Sequence, residues 1–171
     1  IFIGTQSSGL IEIDLNPGYQ SYTVRRFGKT EGLKSKYINC LFTDQERNLW
    51  MGSYGESLEM IGPNRLALFP QFNDGEKFKV NDIEYFEGEL YTASDYGLKK
   101  LKSAQFFNFP ELIGKHINCI ESSQDTLWIG TNSGLFFLSK NKVQRFEFGS
   151  LRQQPEFINC IVVKGNRLHV G

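Results

Sequence analysis

Apolar residues in this chain come in short bursts separated by polar turns, and no run keeps a 3.6-residue period long enough to predict a helix. Ile38 to Thr43 reads as a strand, Gln45-Glu46-Arg47-Asn48 as a polar turn, and Leu49 to Ser53 as the next strand. Tyr54-Gly55 turns the chain again, Ser57 to Ile61 makes a third strand, Gly62-Pro63-Asn64-Arg65 turns, and Leu66 to Phe72 makes a fourth. The same rhythm returns with strands predicted at Ile117 to Ser122, Thr126 to Thr131, Leu135 to Ser139 and Val143 to Phe148.

Two sequence anchors turn this rhythm into a repeat. The first is an aromatic, an aliphatic and a small residue: Phe2-Ile3-Gly4-Thr5, Trp50-Met51-Gly52-Ser53, Tyr91-Thr92-Ala93-Ser94, Trp128-Ile129-Gly130-Thr131 and His169-Val170-Gly171. The second precedes it: Ile38-Asn39-Cys40, Val80-Asn81-Asp82, Ile117-Asn118-Cys119 and Ile158-Asn159-Cys160. Both recur at about 40 residues with a near-constant offset, and a 40-residue unit of four antiparallel strands is the mark of a β-propeller blade. Two-helix solenoid repeats of similar length fail because Gly and β-branched residues sit inside the segments. The fold expected is therefore all-β, with blades cut at 1–33 (partial), 34–75, 76–111, 112–152 and 153–171 (partial). That makes about four blade-equivalents, expected to be a segment of a larger ring, seven-bladed by preference, rather than a closed four-bladed one.

Composition narrows the function. The chain has 171 residues with Lys+Arg 19 against Asp+Glu 19, so it lacks the basic excess of a nucleic-acid binder. Its apolar runs fall far short of the roughly 20 residues that span a bilayer, and no secretory leader is expected at its start. With 40% hydrophobic and 22% charged residues, it is not a disordered segment. The 14% aromatic content and 17 glycines fit many short strands and tight turns.

Arg26-Phe27-Gly28-Lys29-Thr30-Glu31-Gly32-Leu33 leads through Ile38-Asn39-Cys40-Leu41-Phe42-Thr43-Asp44 into Asn48-Leu49-Trp50-Met51-Gly52-Ser53. This stretch resembles the two-component regulator propeller repeat: an acidic-Gly-Leu turn, an aliphatic strand ending near Asp, then Leu-Trp-aliphatic-Gly-Thr and Gly-Leu. Asp125-Thr126-Leu127-Trp128-Ile129-Gly130-Thr131-Asn132-Ser133-Gly134-Leu135 matches its second half. The first unit carries Phe2 for Trp, and the third carries Tyr91 for Trp and Ala93 for Gly. WD-type repeats fit less well, since neither Trp-Asp nor Gly-His occurs. The resemblance implies the periplasmic sensor region of a hybrid two-component system of the gut Bacteroidetes kind, detecting glycan fragments and signalling to a histidine kinase elsewhere in the polypeptide.

Each candidate residue has a packing reading beside a functional one. Trp50, Trp128, Phe2 and Tyr91 sit at one fixed position per blade, which favours inter-blade packing over sugar stacking. Glycines 4, 52, 130 and 171 mark close backbone approach or a bulge. Asn39, Asn81, Asn118 and Asn159 fall early in each first strand, where they satisfy backbone groups or present amides to a ligand. Cys40, Cys119 and Cys160 are expected as small buried hydrophobes, with a Cys119–Cys160 disulfide as the rival. No metal or cofactor is expected.

The loops between blades and between second and third strands open on one face. They place Lys36, Tyr37, Tyr54, Asp95, Tyr96, Lys115, His116, Asn132 and Arg152 there, with Lys34, Gln153 and Gln154 beside them. Aromatic planes, amides and cations suit a sugar, an acidic one included. The expected partners are an oligosaccharide or other small ligand and further blades of the same chain, with a homodimer as an option; neither nucleic acid nor membrane contact is expected of this segment. A non-catalytic scaffold propeller is the alternative function, and a propeller lyase or hydrolase the second. Catalysis has little support, because His116 and His169 occupy different repeat positions and Asp82 is the lone acid on the first strands.

Overall fold

In the computed structural model, residues 1–55, 58–63, 65–69, 79–149 and 155–171 are described. They form antiparallel sheets in two compact units, Ile1–Val80 and Asn81–Gly171. The first unit begins with β1 (Phe2–Gly4), β2 (Leu10–Leu15) and β3 (Tyr22–Phe27), paired in that order. A full blade follows: β4 (Ile38–Thr43), β5 (Leu49–Ser53), β6 (Leu58–Gly62) and β7 (Arg65–Phe69), each paired with the next. β8 (Val80–Phe86), all but its first residue in the second unit, forms one sheet with β9 (Glu89–Ser94), β10 (Gly97–Lys102) and β11 (Gln105–Asn108). Next come β12 (Ile117–Ser123), β13 (Thr126–Thr131), β14 (Gly134–Ser139) and β15 (Lys142–Arg145), then the pair β16 (Ile161–Lys164) and β17 (Arg167–Val170). The four-stranded meander is the propeller blade that the repeat predicts. No helix among the described residues is long and apolar enough to cross a membrane.

The Ile-Asn-Cys anchor is a β-bulge. Ile38 pairs with Ser53 and Cys40 with Gly52, leaving Asn39 as the extra residue; Ile117, Cys119 and Asn118 repeat the arrangement against Thr131 and Gly130. A bulge re-aims its side chain out of the ladder. The amide of Asn39 accordingly donates to the carbonyl of Val80 (2.7 Å), that of Asn81 to Ile117 (2.8 Å) and that of Asn118 to Ile158 (2.9 Å). Each acceptor is the residue just before the next anchor asparagine. These asparagines satisfy backbone, the structural one of their two readings.

The glycines opposite the cysteines leave no room for a side chain. A methyl on Gly130 would lie 2.6 Å from Cys119 Sγ and 2.8 Å from Ile158 Cγ2. On Gly52 it would meet Cys40 Sγ and stand 2.6 Å from Val80 Cγ1. All three cysteines remain thiols, so no disulfide joins Cys119 to Cys160. Burial, then the nearby Asp82 and Cys160, push the Cys119 thiol up to about 12, which keeps it protonated at neutral pH.

Hydroxyls explain the Gly-Thr and Gly-Leu pairing of the motif. Thr131 Oγ1 donates to the Gly134 carbonyl (2.8 Å) and accepts the Ser133 N–H (3.0 Å), closing the β13–β14 turn. Ser94 does the same with Gly97 and Tyr96, and Thr5 with Gly9 and Ser8.

Three expectations need correction. Trp50 and Tyr91 are buried, but Phe2 is 41% exposed, because β1 is an edge strand with one hydrogen-bonded neighbour. The cysteines are not buried as expected: Cys40 and Cys119 are half-buried and Cys160 is exposed. The strand predicted to Phe148 ends at Arg145; the Phe146 N–H still donates to the Leu135 carbonyl (2.8 Å), and the side chains of Phe146 and Phe148 pack with Trp128, Leu135, Ile158 and Ile161. Short 3-10 turns at Lys29–Glu31 and Pro110–Leu112 punctuate the connections between blades, each setting a buried leucine (Leu33, Leu112) into a core.

Candidate functional site

The connection from β3 to β4 builds a surface cleft of the first unit. Glu31 starts it by accepting the Gly28 N–H (2.7 Å) and the Thr30 hydroxyl (2.8 Å). Gly32, at φ 100°, ends the 3-10 turn in the left-handed region that side chains disfavour. Leu33 then plugs the core formed by Leu10, Ile38, Leu49 and Met51. Immediately after this plug, Glu59 reaches from β6: its two carboxylate oxygens accept the N–H groups of Lys34 (3.1 Å) and Ser35 (3.3 Å). Glu59 is fully buried. A buried carboxylate that holds two consecutive amides fixes the backbone of the loop on which the lysines ride.

The loop is tied at its far end as well. Ser35 Oγ accepts the Tyr37 N–H (3.1 Å), the Gly9 N–H reaches Lys36 (3.1 Å), and the Tyr54 N–H reaches Tyr37 (3.3 Å). Lys29, Lys34, Ser35, Lys36, Tyr37, Tyr54 and Gly55 thereby surround a cleft of about 180 Å³. Lys36 Nζ lies 5.3 Å from the Tyr37 ring centroid, a cation–π contact. A second cleft of about 190 Å³ shares Tyr37 and Tyr54 and adds Gln6, Ile38, Asn39 and Lys79. Both rings are wet, Tyr37 at 47% and Tyr54 at 56% exposure.

Lys36, Tyr37 and Tyr54 are thus brought together, with Lys34. The other loop-face residues lie in the second unit. Asp95 and Tyr96 occupy the β9–β10 turn, where the Tyr96 carbonyl accepts the Gly114 N–H (3.0 Å). Lys115 places its ammonium 5.3 Å from the Phe136 ring, and the His116 carbonyl accepts the Asn132 N–H (3.1 Å). The Asn132 side chain accepts from Asn118 (2.8 Å). Arg152, Gln153 and Gln154 lie outside the described residues.

Sequence reasoning missed Lys29, Lys79 and Glu59. For Glu59 a signal existed: one carboxylate inside the otherwise apolar run Leu58-Glu59-Met60-Ile61. It also counted Asp82 as the lone acid of the first strands, whereas Glu84 stands on the same strand and Glu121 on β12. Asp82 accepts the N–H groups of Ile120 and Ile83 (both 2.9 Å), and Glu84 the Ser122 hydroxyl (2.8 Å). Burial first, with the Glu121 charge adding to it, raises both carboxyls against these hydrogen bonds. Among the described residues no three His, Cys, Asp or Glu side chains converge as metal ligands.

Comparison with known proteins fits this geometry. Residues 32–55, from the loop glycine through the second tyrosine turn, match the family model for the two component regulator propeller. The chain carries a two component regulator propeller repeat. The model takes in the bulge at Asn39, the Gly52 contact and the loop that Glu59 holds. No curated protein matches the chain. Among solved structures, an extracellular domain assigned to the hybrid two component system BT4673 from B. thetaiotaomicron aligns with TM-score 0.79 and 17% identity, over 99% of this chain and 24% of that one. The corresponding domain of BT3049 from the same organism gives 0.75 and 19%, over 99% and 24%. PorZ, a surface component of the type-IX secretion system of Porphyromonas gingivalis, gives 0.72 and 13%, over 99% and 25%. At these identities the chain shares a fold with them, and it spans about a quarter of their length.

Proposed function

We propose that this chain is part of the extracytoplasmic sensor region of a hybrid two-component system and binds an oligosaccharide at the cleft of Tyr37 and Tyr54. The observation that carries the reading is two exposed tyrosines meeting across an inter-blade connection, on a loop held by buried Glu59 rather than left loose. A preorganised loop binds without a large ordering cost, and a tyrosine face with adjacent amides and cations suits a pyranose ring. The match to the regulator propeller model and the likeness to Bacteroides extracellular domains support the setting. Occupancy would bias blade or propeller packing and so shift a kinase equilibrium, which requires differential affinity for two states.

The test is calorimetric titration of the full polypeptide against a broad oligosaccharide panel, repeated with Tyr37→Ala and Tyr54→Ala. Saturable binding lost in both variants is expected; binding of no panel member would remove the sensor reading. A second reading, a propeller docking on protein, is favoured by β3, where Tyr22 (67%) and Val24 (55%) stand exposed. Sedimentation that shows a constitutive dimer abolished by Val24→Lys would support that alternative.

A further inference from the structure

The cleft's charge says more than its shape, and the ligand class it selects rests on the oligosaccharide reading. The chain as a whole is balanced, Lys+Arg 19 against Asp+Glu 19. Its two tyrosine clefts are not: Lys29, Lys34, Lys36 and Lys79 line them, and among the described residues no carboxylate does. The described acids nearby are turned to other work. Glu31 is spent on Gly28 and Thr30, and Glu59 on the amides of Lys34 and Ser35. A neutral sugar gains nothing from these ammonium groups, whereas the repulsion among Lys29, Lys34 and Lys36 falls when an anion enters.

We infer that the cleft takes an anionic oligosaccharide, one that carries uronate carboxylates or sulfate esters along a pyranose backbone. Tyr37 and Tyr54 supply the ring faces, and Lys34 and Lys36 the charge, with Lys29 and Lys79 at the two ends. Glu59 is a positioning residue: it touches no ligand, but its carboxylate sets where the Lys34 and Lys36 ammonium groups start from. Lysine suits this task, because its ammonium is a point charge on a flexible stem that follows either anion.

The experiment titrates the full polypeptide with three probes: an oligogalacturonate, the same oligomer fully methyl-esterified, and a sulfated galactan oligomer. At low salt, at least one of the two anionic probes should bind about tenfold or more tighter than the ester, since each partly exposed ion pair adds a few-fold at most. Lys34→Gln/Lys36→Gln should abolish that preference. Raising the ionic strength should weaken the preferred anionic probe alone. Which anion wins assigns carboxylate or sulfate. If the ester binds as well as both anionic probes and the lysine pair is silent, the anionic class is overturned while the sugar reading survives. If none of the three probes saturates while a neutral sugar of the broad panel does, the class is overturned too. If neither these probes nor the panel saturates, the sugar reading itself has failed. Glu59→Gln keeps the shape and loses the charge; it should raise the Kd for the preferred anionic probe, and an unchanged Kd would remove the positioning role.

Discussion

One structural slot recurs along the chain and is filled in two ways. Beside β12 and β13 it holds a thiol and a glycine: Cys119 Sγ and Ile158 Cγ2 both close on Gly130. Cys40, Val80 and Gly52 repeat the solution in the first unit. On β8 and β9 the same two positions hold Asp82 and a fully buried Ala93. Asp82 is engaged with backbone N–H groups of Ile83 and Ile120, so its carboxylate is turned to donors and the alanine methyl has space. The slot conserves volume rather than chemistry: where the anchor side chain stays, the opposite residue loses its Cβ, and where it turns away, a methyl returns.

The largest effect should come from forcing one solution onto the other. Gly130→Ala puts a methyl against a sulfur, a Cγ2 and a carbonyl oxygen at 3.1 Å, and overpacking of this kind costs about 3 kcal/mol. Adding Cys119→Ala should recover only part, because Ile158 still blocks the site. Urea denaturation measures both. A silent Gly130→Ala would mean that the seam yields freely, and the volume rule would be wrong. The converse change is milder. Ala93→Gly loses one buried methyl and stiffens nothing in return, for about 1.5 kcal/mol. If it stabilised instead, Ala93 would be a strained fit and not the second solution.

Protonation separates the same regions in sign. Asp82 and Glu84 have raised pKa values in the folded chain, through burial above all, so the folded state takes up their protons more readily than the unfolded one. Stability must then fall as pH rises through these raised values and recover on acidification. Asp44 in the first unit runs the other way. Burial works against its charge, but the Trp50 indole (2.8 Å), the Asn48 amide (2.9 Å) and the Asn48 N–H (2.8 Å) outweigh it and hold the carboxyl below the usual range. Its contribution is present at neutral pH and is lost only as pH falls through that lowered value. Amide exchange corrected for intrinsic rates should therefore show β8 and β12 gaining protection as pH falls through the raised values of Asp82 and Glu84, with β4 and β5 unchanged until the lower pH at which Asp44 takes up its proton. Parallel behaviour in the two units would break the distinction.

The repeat made much of this legible. Asn39, Asn81 and Asn118 mark the link from one anchor to the next because the bulge needs one extra residue and the link needs an amide, and both appear in sequence at a fixed offset. Gly52 and Gly130 are legible for a similar reason, since only Gly fits. Residues whose role depends on distant backbone were not. Glu59 lies 25 residues beyond the Lys34 amide that it binds, and no periodicity links the two. Lys29 and Lys79 join the cleft through the path of the chain rather than through a motif. Phe2 shared the aromatic position of Trp50 but not its burial, because the repeat records where a side chain points and not what covers it. The loop-face list mixed two units for the same reason: equivalence within a repeat does not bring residues of different blades into one cleft.

The finest distinction lies in how much of the Asp82 shift is burial and how much is charge. Glu121 is the acid that bears on both Asp82 and Glu84, while Asp82 bears on Glu84 in turn. Glu121→Gln removes one like charge without emptying its place on β12. Both carboxyls should then titrate lower, but they should stay above the ordinary value of about 4, since burial remains the leading cause. Carboxyl carbon shifts followed by NMR across the acid range resolve the two groups. A return of Asp82 to the ordinary range would make repulsion the main cause. The β8 solution to the slot would then owe its pH dependence to a neighbouring charge rather than to the depth at which Asp82 is held.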